Sequence, residues 1–412
     1  MPGKTPKHYC VYGWGNGIPS PTKLPLPNSD TQVMQVTVGR TQKSCVTGNR
    51  RLFTWETCSS TTLPGSFGDS QNIPSFVPRF MEGQPGVNIK QVVCGELHTA
   101  CLTDRGILMT FGSGSNGCLG HDNFHDVQKA TIVEKLLGSE LIEISSGSYH
   151  MLAVTSDGDV FAWGKGDNGR LGLNNEETVA VPTLVPLPEQ LEPRSVVCGL
   201  DCSMVLINSN KALAAGSNLH NRLGLDVIHG GKILKETTES SSFVPLRSEP
   251  LCLGNIDKIS LGLQHSAIIN KDGELFMFGL NNCGQLGVGM KEATPLPRMP
   301  HKVEAVGGTK FTMVSCGGSF TVAATAENKV YSWGKPSRGQ LGRATTDPVS
   351  ASTPHEIQLH DPLTDLQVVS LSASHSNALL VVSGAEVVVD SKFRNSWDTN
   401  TWREENRKTS PR

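Results

Sequence analysis

Four histidines recur at one position of a repeated motif, and imidazole is the side chain that most often binds metals or moves protons near neutral pH. Each follows a glycine or serine by three residues, just before a short apolar stretch: His98, His150, His265 and His375. In three further copies the same position holds Gln42, Cys202 and Phe320. A metal-binding or catalytic ring would not survive these replacements. We therefore predict a structural role, in which a neutral imidazole ties the turn to a neighbouring backbone group.

Two glycine-rich segments match the G-x-G-x-x-G pattern of nucleotide-binding loops. They cover residues 112–117 and 164–169. Phosphate binding by this pattern needs the N-terminus of a following helix, whereas a Leu-Gly pair and a polar loop follow both segments. The same position also recurs in copies that lack these glycines. We interpret both segments as repeat turns.

A third candidate site is the segment 121–126, where His121 and His125 stand among carboxylates and could hold a metal ion if the segment were helical. The segment is predicted to be a surface loop, so we favour a solvated loop over a metal site. No Ser-His-Asp arrangement or pair of acids can be assembled from the sequence alone. We therefore expect no catalytic residue, no metal and no cofactor.

The motif that carries the histidines occurs seven times along the 412 residues. Its copies begin at Gly39, Gly95, Gly147, Gly199, Gly262, Gly317 and Ser372. A period of roughly 50 residues is the signature of an array of equal supersecondary units. Such an array is more often a scaffold than a catalyst.

Each unit has the pattern of several short β-strands joined by tight turns. In the copy at Gly95, apolar stretches precede and follow the turn, and residues 104–106 have the composition of a hairpin turn. The third strand ends in an aromatic residue and a glycine, with Leu-Gly following in most units. These aromatic residues are Trp14, Phe111, Trp163, Phe278 and Trp333. We expect them to pack against the neighbouring unit, while the glycine lets two backbones approach closely.

These units predict an all-β fold, a seven-bladed β-propeller. Residues 10–15 lack the strands that should precede them, and residues 366–382 lack the aromatic-Gly strand that should follow. We therefore expect N- and C-terminal strands to pair in one blade, which closes the ring without an exposed sheet edge. The propeller should span residues 10–384, between an N-terminal tail (1–9) and a disordered C-terminal tail (385–412).

The composition argues against several classes of ligand. A net charge of −2 and a pI near 6.6 give no support for nucleic acid or an anionic membrane as the main ligand. The sequence has no apolar run of bilayer length, no secretory leader and no glycosylation sequon, which favours a reducing, cytoplasmic setting. Cys94, Cys198 and Cys316 share one repeat position and should be packing residues.

Two insertions are candidate partner-contact loops, because loops on rigid scaffolds often carry binding residues. The first covers residues 56–78 and includes Phe67 and Phe76. The second covers residues 225–255 and includes Lys235, Glu236 and Phe243. Surface loops also tolerate change without any role in binding, and the sequence leaves both interpretations open.

The repeat residues resemble those of the regulator-of-chromosome-condensation family over most of the chain. Residues 13–25, 38–47, 88–121 and 196–207 resemble, in more detail, the propeller tails of the NIMA-related serine/threonine kinases. This resemblance implies a non-catalytic interaction and targeting propeller, located in the cytoplasm at the cilium or centrosome. The implied partners are proteins, namely ciliary ankyrin-repeat proteins and a kinase domain in the same polypeptide. No small-molecule substrate is expected.

The sequence contains no kinase signature such as an HRD loop or a DFG motif. Two alternatives therefore accompany the main interpretation. The chain could be a fragment of a full-length serine/threonine kinase. It could also be a guanine-nucleotide exchange factor for a small GTPase, as the founding member of the propeller family is.

Overall fold

The computed structural model describes residues 7–28, 30–58, 75–80, 86–289, 298–304, 308–345, 347–359 and 363–386. For residues 56–58, 75–80 and 386 it describes the backbone only. Seven four-stranded antiparallel sheets are arranged as the blades of a β-propeller, which confirms the predicted fold. In the described part of the chain, no helix is long and apolar enough to cross a membrane.

The first half of the chain supplies blades 1 to 3 and two strands of blade 7. These two are β1 (Lys7–Gly15) and β2 (Ile18–Lys23). Blade 1 has β3 (Val33–Val38), β4 (Lys43–Thr47), β5 (Leu52–Cys58) and β6 (Ser75–Phe80). Blade 2 has β7 (Ile89–Cys94), β8 (His98–Thr103), β9 (Leu108–Gly112) and β10 (Val127–Ile132). Blade 3 has β11 (Leu141–Ser146), β12 (His150–Thr155), β13 (Val160–Gly164) and β14 (Val179–Leu184).

The second half completes the ring. Blade 4 has β15 (Pro193–Cys198), β16 (Cys202–Ile207), β17 (Ala212–Ser217) and β20 (Glu239–Pro245), and its insertion forms a separate hairpin of β18 (Val227–His229) and β19 (Lys232–Lys235). Blade 5 has β21 (Ile256–Leu261), β22 (His265–Asn270), β23 (Leu275–Gly279) and β24 (His301–Lys302). Blade 6 has β25 (Phe311–Cys316), β26 (Phe320–Thr325), β27 (Val330–Gly334) and β28 (His355–Glu356), with the short helix α1 (Pro348–Ala351) before β28. The inner strands of blade 7 are β29 (Leu363–Ser374) and β30 (Asn377–Glu386).

Blade 7 joins the two ends of the chain. Its strand order is β2-β1-β30-β29, and β1 pairs with β30 from Lys7 opposite Ala385 to Gly15 opposite Asn377. The predicted closure by N- and C-terminal strands is therefore confirmed. The paired strands begin at Lys7 and end at Glu386, slightly beyond the residues 10–384 expected for the propeller.

The strand order places the blade turns on two opposite faces. The first strand of every blade lines a central cavity, so these strands lie at the propeller axis. The turn between first and second strands carries the recurring glycine, and we call this side the turn face. The second strand then crosses the blade, so the turn after it lies on the opposite side, the far face.

The core consists of the side chains packed between consecutive blades. In one such cluster, Leu152 and Val154 of blade 3 meet Val205 and Leu213 of blade 4, all of them buried. The second strand is the most deeply enclosed, since every residue of β12 is buried. Burial on both sides explains why these strands are continuous apolar runs rather than alternating patterns.

Candidate functional site

The recurring glycine is needed because two groups lie against its Cα. A Cβ atom at Gly147 would meet the His150 ring and the carbonyl oxygen of Gly199, which belongs to the corresponding turn of blade 4. Gly95 lies against the His98 ring in the same way. The turn therefore holds the histidine ring beneath it and brings neighbouring blades together at the axis.

Three of the four histidines link one blade to the next. His150 Nε2 lies 2.8 Å from Ser203 Oγ, and His265 Nε2 lies 2.9 Å from Thr321 Oγ1. Both hydroxyls donate their hydrogen to a backbone carbonyl, so each imidazole is the donor in its own bond. His98 Nε2 lies 2.9 Å from Ser146 Oγ of blade 3. Each of these three bonds joins the ring to a side-chain hydroxyl of the next blade.

These three imidazoles are neutral in the folded protein. Burial lowers the pKa of His98 to about 4 and that of His265 to about 3, because the charged form would lose its hydration. Burial also lowers the pKa of His150 well below its ordinary value. Each ring lies in its own inter-blade contact. Among the described residues, no group of three His, Cys, Asp or Glu side chains could hold a metal ion.

His375 does not share the position of the other histidines, so the prediction that all four occupy one repeat position was wrong. In blade 2, His98 pairs with Gly112, whereas in blade 7 the residue opposite Gly15 is Asn377. Irregularities of register within β29 shift the motif, so Ser374 and Asn377 take the glycine and histidine positions. His375 instead lies in the turn itself, with a φ of 50°.

The displaced His375 takes part in a charged cluster on the turn face that the sequence did not predict. Glu96 of blade 2 lies 2.6 Å from Arg40 Nη1 of blade 1 and 2.9 Å from His375 Nε2 of blade 7. The Glu96 side chain is only 5% exposed. Asn377 Nδ2 also donates to the Arg40 carbonyl at 3.1 Å. The cluster ties blade 7, which joins the two ends of the chain, to blades 1 and 2.

The third-strand tryptophans reach back to the preceding blade. Trp163 Nε1 donates to the Cys118 carbonyl at 3.0 Å, and Trp333 Nε1 donates to the Gln285 carbonyl at 2.9 Å. Trp14 does the same across the closure, to the Gln340 carbonyl at 3.0 Å. Each acceptor immediately precedes a Leu-Gly pair. Within the repeat, the Leu-Gly pair therefore follows the carbonyl that receives the indole of the next blade.

The two phenylalanines at this position differ in burial. Phe278 is fully buried, whereas Phe111 is half-buried against blade 1 and blade 2 residues. The glycine that follows the aromatic residue is required by its backbone. Gly164 has a φ of 103°, and a Cβ there would meet the Tyr149 carbonyl oxygen, which accepts a hydrogen bond from Lys165 N at 2.9 Å.

The glycine-rich segments form short turns against the next blade. Ser115–Gly117 and Asp167–Gly169 are 3-10 turns of three residues each. A Cβ at Gly117 would meet Ala180 of blade 3. In the third candidate segment, His121 Nε2 lies 3.0 Å from Thr110 Oγ1, and Asp126 Oδ1 accepts a bond from Gly114 N at 2.9 Å. These side chains hold the loop to its own blade.

The predicted partner-contact residues separate into exposed and buried ones. Lys235 and Glu236 are exposed, at the end of the β18–β19 hairpin. Phe243 is not available to a partner, because it lies in β20, is 9% exposed and packs over Gly172 of blade 3. Phe76 lies in β6, where only the backbone is described, and Phe67 lies outside the described residues.

A central cavity of about 370 Å³ runs between the first strands of all seven blades. Hydroxyls in its wall connect adjacent strands: Ser145 Oγ accepts from Cys198 N at 3.0 Å, and Ser260 Oγ accepts from Cys316 N at 2.9 Å. Gln35 makes two such bonds with the backbone of Val92, one as donor and one as acceptor. The wall is thus a ring of bonds between blades.

The sequence profile of the RCC1-like domain matches residues 10–380. The chain belongs to the RCC1-like domain family. This RCC1-like chain is 46% identical to the serine/threonine-protein kinase Nek8 of Danio rerio, over 91% of this chain and 53% of the kinase. It is 35% identical to Nek9 of Mus musculus, over 82% of this chain and 35% of that kinase. The predicted similarity to NIMA-related kinases is confirmed.

The RCC1-like chain spans about half the length of Nek8 and a third of Nek9, and the matching part of these kinases is their propeller region. Among solved structures, it is similar to yeast RCC1 (Prp20) bound to Kap60, with a TM-score of 0.73. That likeness covers 93% of this chain and 90% of the yeast protein at 18% identity. An identity this low shows the shared fold alone.

Proposed function

We propose that this RCC1-like propeller is a non-catalytic protein-interaction module that regulates and targets a NIMA-related kinase polypeptide. The observation that supports this proposal most directly is the 46% identity to Nek8 over 91% of the chain. The geometry agrees with it, because the repeated histidines and tryptophans form bonds between blades. A ring held in this way loses little conformational entropy when a partner docks on it.

The β18–β19 hairpin is the first contact surface that we propose. Leu234 is 65% exposed on it, and Lys235 and Glu236 are exposed beside it. The hairpin is held at its base by Asp226, a fully buried carboxylate that accepts bonds from Arg298 of blade 5 at 2.6 and 3.0 Å. An exposed leucine on a hairpin that is held at its base suits a binding site, because docking then costs little conformational entropy.

The proposed partners are proteins. One is a kinase domain in the same polypeptide, which the partial coverage of Nek8 and Nek9 supports. The others are ciliary ankyrin-repeat proteins, and the proposed location is the cytoplasm at the cilium or centrosome. Imaging of the tagged chain in ciliated cells tests the location. A uniform distribution, unchanged by fusion to the kinase domain, would contradict it.

Co-precipitation from ciliated cells with matched leucine variants tests the contact surface. We expect L234D to reduce the recovery of bound proteins about tenfold, the effect of losing ~1.4 kcal/mol of binding free energy. L253D is the control, because Leu253 is 71% exposed and lies in a different connection, after blade 4. Equal losses in the two variants would show that the hairpin is not the contact.

Release of labelled GDP from a panel of small GTPases tests the exchange-factor alternative. We expect the wild-type chain to leave the release rate unchanged. Acceleration for any GTPase would assign exchange activity to the propeller and overturn the purely scaffolding role.

A further inference from the structure

Three exposed aliphatic side chains lie where blade 2 joins blade 3, and we call them the seam patch. They are Ile132, Leu137 and Leu184, which are 37%, 54% and 53% exposed. Ile132 ends β10, and Leu137 caps the 3-10 turn Glu134–Leu136, which packs against β14. Leu184 is the last residue of β14. A group of exposed apolar side chains is typical of a docking surface.

The seam patch lies among carboxylates on the far face. The connection to blade 3 carries Glu134 and Glu140, and Ser156 binds Glu140 through both its backbone N–H and its hydroxyl. That contact places the acidic turn of blade 3 beside the connection. The acidic residues of these segments are Glu134, Glu140, Asp157, Asp159, Glu189 and Glu192, and the basic residues are Lys129 and Lys135. The blade 2 turn beside the connection, whose Gly106 carbonyl accepts from Leu141 N, adds Asp104 and Arg105. The surface therefore favours an occupant that is both apolar and basic.

The chain itself contains a segment with that chemistry, after the last described residue. In residues 387–412, Phe393 stands between Lys392 and Arg394, and Trp402 precedes Arg403. The segment holds six basic and four acidic residues, which gives a net charge of +2. The segment starts after Glu386, where β30 ends. Because β30 is the second strand of its blade, this end lies on the far face, the same face as the acidic turn of blade 3.

The segment is long enough to reach the seam patch from Glu386. The sixteen residues 387–402 span up to about 55 Å when extended. A compact domain of this length has a diameter of about 55 Å. Every point on the far face is therefore within reach of Trp402.

We propose that the C-terminal segment 387–412 docks on the seam patch of its own propeller. Its aromatic rings cover Ile132, Leu137 and Leu184, and its basic side chains pair with the surrounding carboxylates. This contact is independent of the proposed kinase-linked function. It would occupy the seam patch whenever no external protein competes for it.

Titration of a synthetic peptide of residues 387–412 onto a chain that ends at Glu386 tests the proposal. The shortened chain retains every strand of the seven blades. We expect micromolar binding by calorimetry, weakened at least about tenfold by L137R together with L184R. The control is L253R, because Leu253 lies on a comparable 3-10 turn, Leu251–Leu253, at the junction of blade 4 and blade 5. Absence of binding, or equal weakening by the control, would overturn the proposal.

Tryptophan fluorescence of the complete chain tests docking within one molecule. Trp397 and Trp402 lie in the segment, and the chain ending at Glu386 supplies the signal of the remaining tryptophans for subtraction. We expect acrylamide to quench the two segment tryptophans more strongly after L137R and L184R than in the wild type. Equal quenching would contradict the contact. Protection that rises with protein concentration would show docking on a second copy and overturn the intramolecular form of the proposal.

Discussion

At the scale of single residues, the third-strand aromatic side chains show whether burial or position in the repeat determines the contribution of a residue to stability. Trp163 is fully buried and bonded to the preceding blade, whereas Phe111 occupies the same repeat position but is half-buried. We expect Trp163→Ala to lower the free energy of unfolding by ~3–5 kcal/mol, because it leaves a cavity and an unpaired carbonyl. Phe111→Ala should cost clearly less. Urea denaturation measures both, and equal losses would show that burial is not what decides the effect.

The buried histidines predict how stability depends on pH. The pKa of His98 is about 4 in the folded protein, below the 6.5 of an unperturbed imidazole. The unfolded state therefore binds a proton first as the pH falls. The contribution of His98 is complete above pH 6.5 and is lost towards pH 4, with a slope of about 1.4 kcal/mol per pH unit.

His98→Gln removes this titration while keeping a side chain that the same position tolerates as Gln42 in blade 1. We expect a shallower fall in unfolding free energy between pH 6.5 and pH 4 than in the wild type. The measurement is urea denaturation at a series of pH values. An unchanged slope would show that the fold does not lower the pKa of His98.

At the scale of elements, the first strand, β1, stabilises the closed ring although it lies at the start of the chain. β1 pairs along its whole length with β30 and also brings Trp14 to the carbonyl of Gln340. We expect deletion of residues 1–15 to lower the melting temperature sharply, because it exposes the edge of β30 and opens the core between blades 6 and 7. Deletion of residues 1–6 is the control. Calorimetry that gives the same melting temperature for both would show that the ring does not depend on this strand.

Element boundaries also explain the errors in the sequence interpretation. The motif of blade 7 was aligned on His375, because Ser372 and His375 reproduce the usual spacing. The register irregularities of β29 move the turn by two residues, and only the pairing of Asn377 with Gly15 reveals this. Similarly, the sequence predicts a partner-contact loop for the insertion of blade 4, although this insertion contains a hairpin and the strand that holds the buried Phe243.

At the scale of the whole molecule, the repeated bonds run from each blade to the next around the axis. Histidine-to-hydroxyl, indole-to-carbonyl and hydroxyl-to-backbone bonds all cross between blades. The histidine position holds Cys202 in blade 4 and Phe320 in blade 6, and it holds Asn377 and Gln42 in the adjacent blades 7 and 1. The series of histidine bonds therefore has a gap at the two successive junctions from blade 7 to blade 2. The Arg40, Glu96 and His375 cluster spans this gap. In the described part of the chain, these side chains are thus distributed around the ring.

The sequence alone determined the architecture, because each repeat encodes a local unit: apolar strands, a glycine turn and an aromatic-Gly pair recur at nearly constant spacing. It also determined the closure, since the strands missing at one end are present at the other. The tertiary structure alone decided which partners these residues have. The Glu96 cluster joins residues from three blades, and the seam patch joins the ends of two strands with a connecting turn. Such contacts depend on how blades are placed in space, and separation along the chain does not reveal that placement.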